Sequence, residues 1–313
     1  MALAFKQQSK KMALLTVLFG FFLIPLNALA SGLMPFILGS TPTETTVKSA
    51  TEKVHQSLKE NGFTVVGSYT PNSHTTVTVV TNSQLKNMAS MSKNGGFGAM
   101  ERVAVTDKGG KLEVSYTNPS YLWNVYRMKG DIAPVQKAME TALGKQSEFG
   151  AEKGLSADDL RGYHYKMMMP YFDDEDELAE YGSYKEAVAA VESGLKAKYA
   201  GSTKVYRIDI PGKEMTVFGV ALNHLDGADK NISTQIDKSN HSHAAHFPYE
   251  ILVTGNEVVA LNGKFRIAIN WPSLSMMGSG SFMSISGAPD HITEALTAVA
   301  KNRAIQKESD SLL

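Results

Sequence analysis

An internal repeat is the feature of this sequence that most constrains its fold. Residues 46–59 resemble residues 183–196 at an offset of 137 positions. Both stretches place apolar residues at the spacing of a helix that buries one face. These residues are Val47, Ala50, Val54 and Leu58 in the first stretch and Tyr184, Ala187, Val191 and Leu195 in the second. The repeat predicts two corresponding helices, at 46–60 and 183–199.

Strand patterns follow each predicted helix, and a further helix closes each half. Runs of apolar and β-branched residues predict the strands at 63–69, 77–80 and 111–117 in the first half and at 204–210, 215–222 and 264–270 in the second. The third pair is aligned through Gly110-Lys111 and Gly263-Lys264, at an offset of 153. The closing helices are predicted at 133–143 and 289–301. Ordered markers of this kind indicate the duplication of one structural unit.

Short motifs in both halves resemble a catalogued family. They are Asn82, Val103-Ala104-Val105, the run from Gly110 to Tyr116 and Asn118-Pro119-Ser120-Tyr121 in the first half, and Asn223, Phe247-Pro248-Tyr249, Leu252-Val253, Gly263-Lys264 and Pro272 in the second. Together they are similar to the family known as domain of unknown function 302 (DUF302). The resemblance implies an α+β fold of two tandem β-α-β4-α (TBP-like) domains, packed as an intrachain pseudo-dimer. It implies no established reaction.

The repeat also predicts the domain boundaries. We expect a signal segment at 1–30, a first domain at 31–145, a linker at 146–160 and a second domain at 161–313. The second copy is seven residues longer than the first between Asn223 and Val253. Extra length in one copy falls in surface loops, which often carry function. The connection at 224–248 is therefore the expected position of a specialised site.

The first 30 residues have the three parts of an export signal. Three lysines within residues 6–11 precede an apolar stretch at 12–26, and Ala28-Leu29-Ala30 has the small-x-small form of a cleavage site. We therefore expect export to a periplasmic or extracellular location, with processing after Ala30. The alternative is an uncleaved membrane anchor, because residues 12–38 carry no charge and are long enough to span a bilayer.

Composition narrows the classes of partner. The chain has 31 basic and 31 acidic residues, so no basic surplus indicates nucleic-acid binding. Removal of the three signal lysines leaves 28 basic residues against 31 acidic ones, and a net charge of −3 disfavours adhesion to anionic lipid. We expect contact with a membrane only through an uncleaved anchor. The absence of cysteine excludes disulfides, thiolate metal sites and a cysteine nucleophile.

Histidines are concentrated in the 224–248 connection. His241, His243 and His246 lie within six residues, and His224 stands at the opposite end of the connection. Imidazoles at this spacing could hold a transition metal, zinc or copper. We therefore name His224, His241, His243 and His246 as a candidate metal site. The alternative is a polar loop whose histidines are solvated and unrelated.

The 15 methionines are the second unusual feature of the composition. Met167–Met169 fall where the first strand of the second half is expected, and Met276, Met277 and Met283 flank a Gly-Ser repeat. Thioethers are suitable ligands for Cu(I), but methionines also fill irregular cores and line adaptable apolar surfaces.

No catalytic motif is present. The chain lacks His-Glu-x-x-His, Gly-x-Ser-x-Gly and a complete phosphate-binding loop. We therefore expect an exported, non-enzymatic binding or accessory protein whose ligand is a metal or a small apolar molecule. The alternatives are a metal-dependent hydrolase in the same compartment and a structural envelope protein.

Overall fold

A computed structural model describes residues 32–305 of the chain. Its first sheet has six strands, each antiparallel to its neighbours: β1 (Phe36–Leu38), β2 (Thr64–Asn72), β3 (Thr75–Thr81), β4 (Glu101–Asp107), β5 (Leu112–Thr117) and β6 (Ser147–Phe149). They lie in the order β2-β3-β4-β5-β1-β6. The strand that comes first in the chain is therefore inside the sheet, between β5 and β6.

Helices from the first half of the chain accompany this sheet: α1 (Val47–Glu60), α2 (Ser83–Met91), α3 (Pro119–Val125), α4 (Ala133–Leu143) and α5 (Ala157–Arg161). Helix α1 begins where the Thr46 hydroxyl accepts a hydrogen bond from the Ser49 N–H at 3.1 Å. It ends before Gly62, whose φ of +84° favours glycine. Of the residues at the predicted helical spacing, Ala50, Val54 and Leu58 are buried and Val47 is half-buried, and Thr51 is buried as well.

The second sheet has five antiparallel strands: β7 (Asp176–Glu180), β8 (Thr203–Asp209), β9 (Met215–Ala221), β10 (Tyr249–Thr254) and β11 (Glu257–Ala260). Their order is β7-β11-β10-β9-β8. Four helices belong to this part of the chain: α6 (Tyr184–Ala197), α7 (Asp229–Ile236), α8 (Gly263–Ala268) and α9 (Ala288–Ala300). The protein is thus α+β with two antiparallel sheets, as the sequence predicts.

The predicted helices are all confirmed. Those expected at 46–60 and 183–199 are α1 and α6, and the closing helices are α4 and α9. Five of the six predicted strands are present as β2, β3, β5, β8 and β9. Read from one edge, the first sheet runs β2-β3-β4-β5-β1 and the second runs β8-β9-β10-β11-β7. Each helix that follows the first strand of its half, α1 or α6, is 14 residues long.

The strand predicted at 264–270 is wrong, because this segment contains helix α8. The alternation of Phe265, Ile267 and Ile269 indicated a strand with one buried face. The intervening residues Arg266 and Ala268 are buried as well. A segment that is buried on every side has no periodicity that separates a helix from a strand. The strand that precedes it in the chain is β11, which the repeat alignment did not predict.

The segment predicted as a linker, 146–160, is ordered. It contains β6, which pairs with β1, and the short helix α5. Between them, Leu155 exchanges two backbone hydrogen bonds with Leu33, at 2.8 and 2.9 Å. The segment therefore belongs to the fold of the first sheet.

The segment proposed as an alternative membrane anchor, 12–38, overlaps the described fold. Its last three residues form β1, in which Phe36 and Ile37 are fully buried in the protein. Those residues are therefore part of the sheet. The predicted signal at 1–30 lies outside the described residues. Within 32–305, no helix has both the length and the apolar character needed to cross a membrane.

The two sheets are covered reciprocally by loops from the opposite half. The turn Gly95–Gly98, between β3 and β4, contacts β9 and β10, and a Cβ on Gly96 would lie only 2.3 Å from a Leu252 methyl group. The turn Ala244–His246, between β9 and β10, contacts β3, β4 and β5. It closes a small apolar core with Phe36 and Ala104. The extra length of the second connection therefore covers a sheet face.

Candidate functional site

The histidine-bearing connection is docked on the first sheet by polar contacts along its length. The Tyr69 hydroxyl donates to Asp229 on α7 at 2.9 Å. Further along, the Ser115 hydroxyl donates to the Ser242 carbonyl at 3.1 Å, and Lys108 donates to the backbone of the same connection. These contacts hold the histidines against the first sheet, although all of them belong to the second half of the chain.

His241 lies at the edge of this interface. Its Nδ1 is 2.6 Å from the Glu113 carboxylate on β5, and the other oxygen of Glu113 accepts from the Ser242 N–H at 2.8 Å. The ring also packs on Phe149, with the centroids 5.1 Å apart. His241 therefore fixes the connection to the outer part of the first sheet.

His243 is buried and pairs with a carboxylate of its own connection. Its Nδ1 is 3.1 Å from Asp237, which also accepts the backbone N–H of His243. The ring is surrounded by Phe36, Phe149 and Trp271, with centroid distances of 5.0, 5.6 and 5.2 Å. Its Nε2 has no hydrogen-bond partner among the described residues.

His246 is fully buried and uses both of its ring nitrogens. Nδ1 is 2.8 Å from an Arg266 nitrogen, and Nε2 is 3.0 Å from the Tyr249 hydroxyl. Arginine can only donate, so Nδ1 accepts and the proton of the neutral ring is on Nε2. Burial holds the pKa of His246 well below its ordinary value, and the Arg266 and Arg102 charges act in the same direction. This histidine is therefore neutral, and both of its ring nitrogens are hydrogen-bonded within the protein.

A buried ionic cluster lies behind His246, between the two sheets. The Glu250 carboxylate on β10 binds the guanidinium of Arg102 on β4 and, at 3.1 Å, that of Arg266 on α8. The side chains of all three residues are at most 2% exposed. Two cations thus share one carboxylate, so each charge depends on its partners for compensation.

Two further buried carboxyl groups lie near this cluster and carry raised pKa values. Burial raises the pKa of Glu101 to about 7, although a 2.5 Å hydrogen bond from Thr117 opposes the shift. Burial also raises the pKa of Asp229 to about 7, against the hydrogen bonds from Tyr69 and from the Leu222 N–H. Both groups titrate near neutral pH inside the fold.

The structure does not bring the four predicted metal ligands to one point. His224 bonds to Glu294 on α9 at 2.9 Å, whereas the other three bond to β5, to their own connection and to α8. In the range 32–305, no group of three or more His, Asp or Glu residues is arranged to hold a metal ion. The predicted zinc or copper site is therefore not assembled in this conformation, and metal binding by the loop stays a prediction.

The Asp237–His243 pair is oriented like the base of a hydrolytic triad, with the carboxylate on Nδ1. A triad also needs a hydroxyl or thiol on Nε2, and the surroundings of this nitrogen are aromatic rings. Among the residues described, His243 therefore has no nucleophile to activate. The alternative of a hydrolase gains no support from this loop.

A surface groove lies along α9 and has a volume of about 510 Å³. Asp290 and Glu294 line its part near the start of the helix, and Lys301 and Arg303 line its part beyond the helix end. Asp290 and Lys301 are separated by about 16 Å along the helix axis at 1.5 Å per residue. Opposite charges thus stand at the two ends of one groove, which was not predicted from the sequence.

Comparisons with protein-family models, curated proteins and solved structures find no match to this chain.

Proposed function

We propose that this chain is an exported, non-enzymatic binding protein, and that its ligand is a small amphoteric molecule held in the groove along α9. The observation that carries the proposal is the separation of charge in that groove, with carboxylates near one end and basic side chains near the other. A ligand with one cationic and one anionic group would match both ends. The expected apolar or metal ligand fits these side chains less well.

The proposal includes the architecture, which we infer to be two tandem DUF302-like copies of β-α-β4-α type packed as an intrachain pseudo-dimer. The matching strand orders of the two sheets support this duplication, and so does the reciprocal covering of each sheet by a loop of the other half. The groove belongs to the second copy alone. Divergence of one copy after duplication is the usual origin of such a specialised site.

The three-part pattern of residues 1–30 supports export, and the location is periplasmic or extracellular. The buried histidine connection then serves the interface between the copies, because each histidine has a separate partner there. A role in the interface explains the extra length of the connection, and the connection then needs no ligand of its own. The runner-up, a metal-dependent hydrolase, requires the four histidines to leave these partners.

A thermal-shift screen tests the groove. The probes are the free amino acids and glycine betaine, each at millimolar concentration. A ligand present at 100 times its Kd adds about 2.7 kcal/mol, so we expect at least one probe to raise the midpoint by about 5 °C.

Thr297 lines the groove on α9, and Thr297→Trp should fill it and abolish the shift. The matched control is Thr141→Trp, at an exposed threonine on α4. A shift that survives in Thr297→Trp would remove the groove as the binding site. Turnover of any probe would contradict the non-enzymatic part of the proposal.

A further inference from the structure

The α9 groove has uncompensated charges at its two ends. Within residues 32–305, Asp290 near the start of the helix and Lys301 and Arg303 beyond its end form no ion pair, and all three residues are exposed. Glu294, the other carboxylate of α9 in the groove, is paired with His224 at 2.9 Å. The two ends of the groove therefore present opposite charges that are available to a ligand.

The part of the groove between these ends is narrow in side chains and nearly neutral. Positions 290, 294, 297 and 301 are spaced by three or four residues, so they form one row along a single face of α9. Thr297 is half-buried and Ala298 is buried, and both side chains are small. The carboxylate of Asp176 accepts a hydrogen bond from the Thr293 hydroxyl at 2.5 Å. The middle of the groove therefore suits an uncharged part of a ligand.

The length of the groove sets the distance between the charges of its ligand. At 1.5 Å per residue, Lys301 is about 10 Å from Glu294 and about 16 Å from Asp290 along the helix axis. A free α-amino acid carries its ammonium and carboxylate groups on one carbon, so it reaches only one end. An extended peptide spans about 3.3–3.6 Å per residue, so about three to five residues cover the interval. Between its two charged termini such a peptide has only neutral amide groups.

We propose that the α9 groove binds short peptides of about three to five residues by their two free termini. The terminal ammonium group lies at the end that carries Asp290, and the terminal carboxylate lies at the end that carries Lys301 and Arg303. Both termini belong to one molecule, so the second ion pair forms at a high effective concentration once the first is made. This inference rests on the proposed function of the groove and names the class of its ligand.

Calorimetric titration of the protein purified from its host tests the length of the ligand. The probes are alanine, tetra-alanine, N-acetyl-tetra-alanine and tetra-alanine amide. We expect tetra-alanine to bind about tenfold or more tightly than alanine, because only the peptide reaches both ends. Each cap removes one terminal charge and should weaken binding by about fivefold. Equal affinities for alanine and tetra-alanine would overturn this inference and leave the groove in place as a site for smaller amphoteric molecules.

Charge variants test the orientation of the peptide. Asp290→Asn should weaken the binding of tetra-alanine by about fivefold but leave the affinity for the N-acetyl form unchanged, because that form has no terminal ammonium group to lose. Lys301→Gln should act in the same way on tetra-alanine and its amide. Lys137→Gln, at an exposed lysine on α4, is the matched control and should change no affinity. Asp290 and Lys301 also complement the dipole of α9, so affinity is the measured quantity and not thermal stability.

Thr297→Trp separates the failure of this inference from the failure of the proposed function. It should abolish the binding of tetra-alanine, because the indole fills the middle of the groove. Tetra-alanine binding that survives in Thr297→Trp would overturn both proposals. If Asp290→Asn weakened the binding of capped and uncapped peptides equally, the groove would remain the site, but the pairing of each terminus with one end would be overturned.

Discussion

The guanidinium of Arg102 and the carboxylate of Glu250 form an ion pair between the two sheets, with both side chains at most 2% exposed. Arg102 comes from β4 and Glu250 from β10, which occupy the same place in the two matching strand orders. Arg266 binds the second oxygen of Glu250. The two halves are thus joined by a buried electrostatic contact that neither half contains alone.

Removal of the shared carboxylate should destabilise the protein strongly. Glu250→Gln leaves Arg102 and Arg266 buried without a compensating charge, and we expect the free energy of unfolding to fall by about 3–5 kcal/mol. Urea denaturation measures the change. The control is Glu192→Gln, which removes the partner of Lys204 and Arg207 on the surface and should cost less than about 1 kcal/mol. Equal small losses in both variants would show that the buried cluster is not ionic.

The raised pKa of Glu101 predicts a specific pH dependence of stability. Its pKa is about 7 in the folded state and close to the ordinary value of 4.5 in the unfolded state, so the folded state keeps the proton to higher pH. The contribution of this group to the free energy of unfolding therefore falls as pH rises from about 4.5 to about 7 and is constant above that range. Glu101→Gln removes this dependence.

The measurement is urea denaturation of the wild type and of Glu101→Gln at several pH values. The variant should gain stability relative to the wild type as pH rises from 4.5 to 7. A difference between the two proteins that stays constant across this range would show that Glu101 has an ordinary pKa.

His246 should be the most important histidine for stability. His246→Ala leaves an Arg266 nitrogen and the Tyr249 hydroxyl buried without partners, and we expect a loss of about 2–4 kcal/mol. His224→Ala is the control, because its partner Glu294 is 40% exposed, and the loss should stay below about 1 kcal/mol. Similar losses in both variants would contradict the buried arrangement.

The predicted metal site needs a test that does not unfold the protein. His241 is partly exposed, so His241→Ala should preserve the fold. Elemental analysis of the wild type and of His241→Ala, both purified from the host, then shows whether the loop holds a metal. Zinc or copper present in the wild type and lost in His241→Ala would support the loop as a metal site, and a metal-free wild type would contradict it.

The proposed duplication predicts equal roles for aligned core residues. Leu58 on α1 and Leu195 on α6 align at the offset of 137 and are both buried. Leu58→Ala and Leu195→Ala should each lower the free energy of unfolding by about 2–5 kcal/mol, in a single cooperative transition. Two separate transitions, with each variant affecting only one, would contradict the packing of the halves as a pseudo-dimer.

Processing of the signal is tested by mass. We expect the protein from its host to begin at Ser31, after the Ala28-Leu29-Ala30 pattern. Intact-mass measurement checks this directly. A chain that still begins at Met1 would contradict processing and favour the anchor.

Local patterns were sufficient to predict four of the nine α-helices in the described part of the chain, α1, α4, α6 and α9, and α2, α3, α5, α7 and α8 were not predicted. Each of α1 and α6 has one apolar stripe and a cap, and both signals lie within about 15 residues of sequence. The same approach was wrong for 264–270, because a segment buried on all sides loses its periodicity. Strand β11 was missed because it is only four residues long.

The sequence could not predict the geometry of the histidines, because their partners are distant in the chain. His241 bonds to Glu113 and His246 to Arg266, and no local spacing indicates either pair. The buried cluster was missed for the same reason. The one available signal was charge near the start of an apolar strand, Glu101 and Arg102 on β4 and Glu250 on β10.

The late covering of the first sheet has a consequence for newly synthesised chains. Strand β1 leaves the ribosome early, but the turn Ala244–His246 that closes its apolar face follows about 200 residues later. At 5–20 residues per second, that interval is about 10–40 s. Throughout it, the only cover that Phe36 has within this core comes from earlier residues such as Phe149, and the face that the turn closes stays open. Aggregation through this exposed apolar face is therefore most favoured during synthesis, before residues 244–246 have been made.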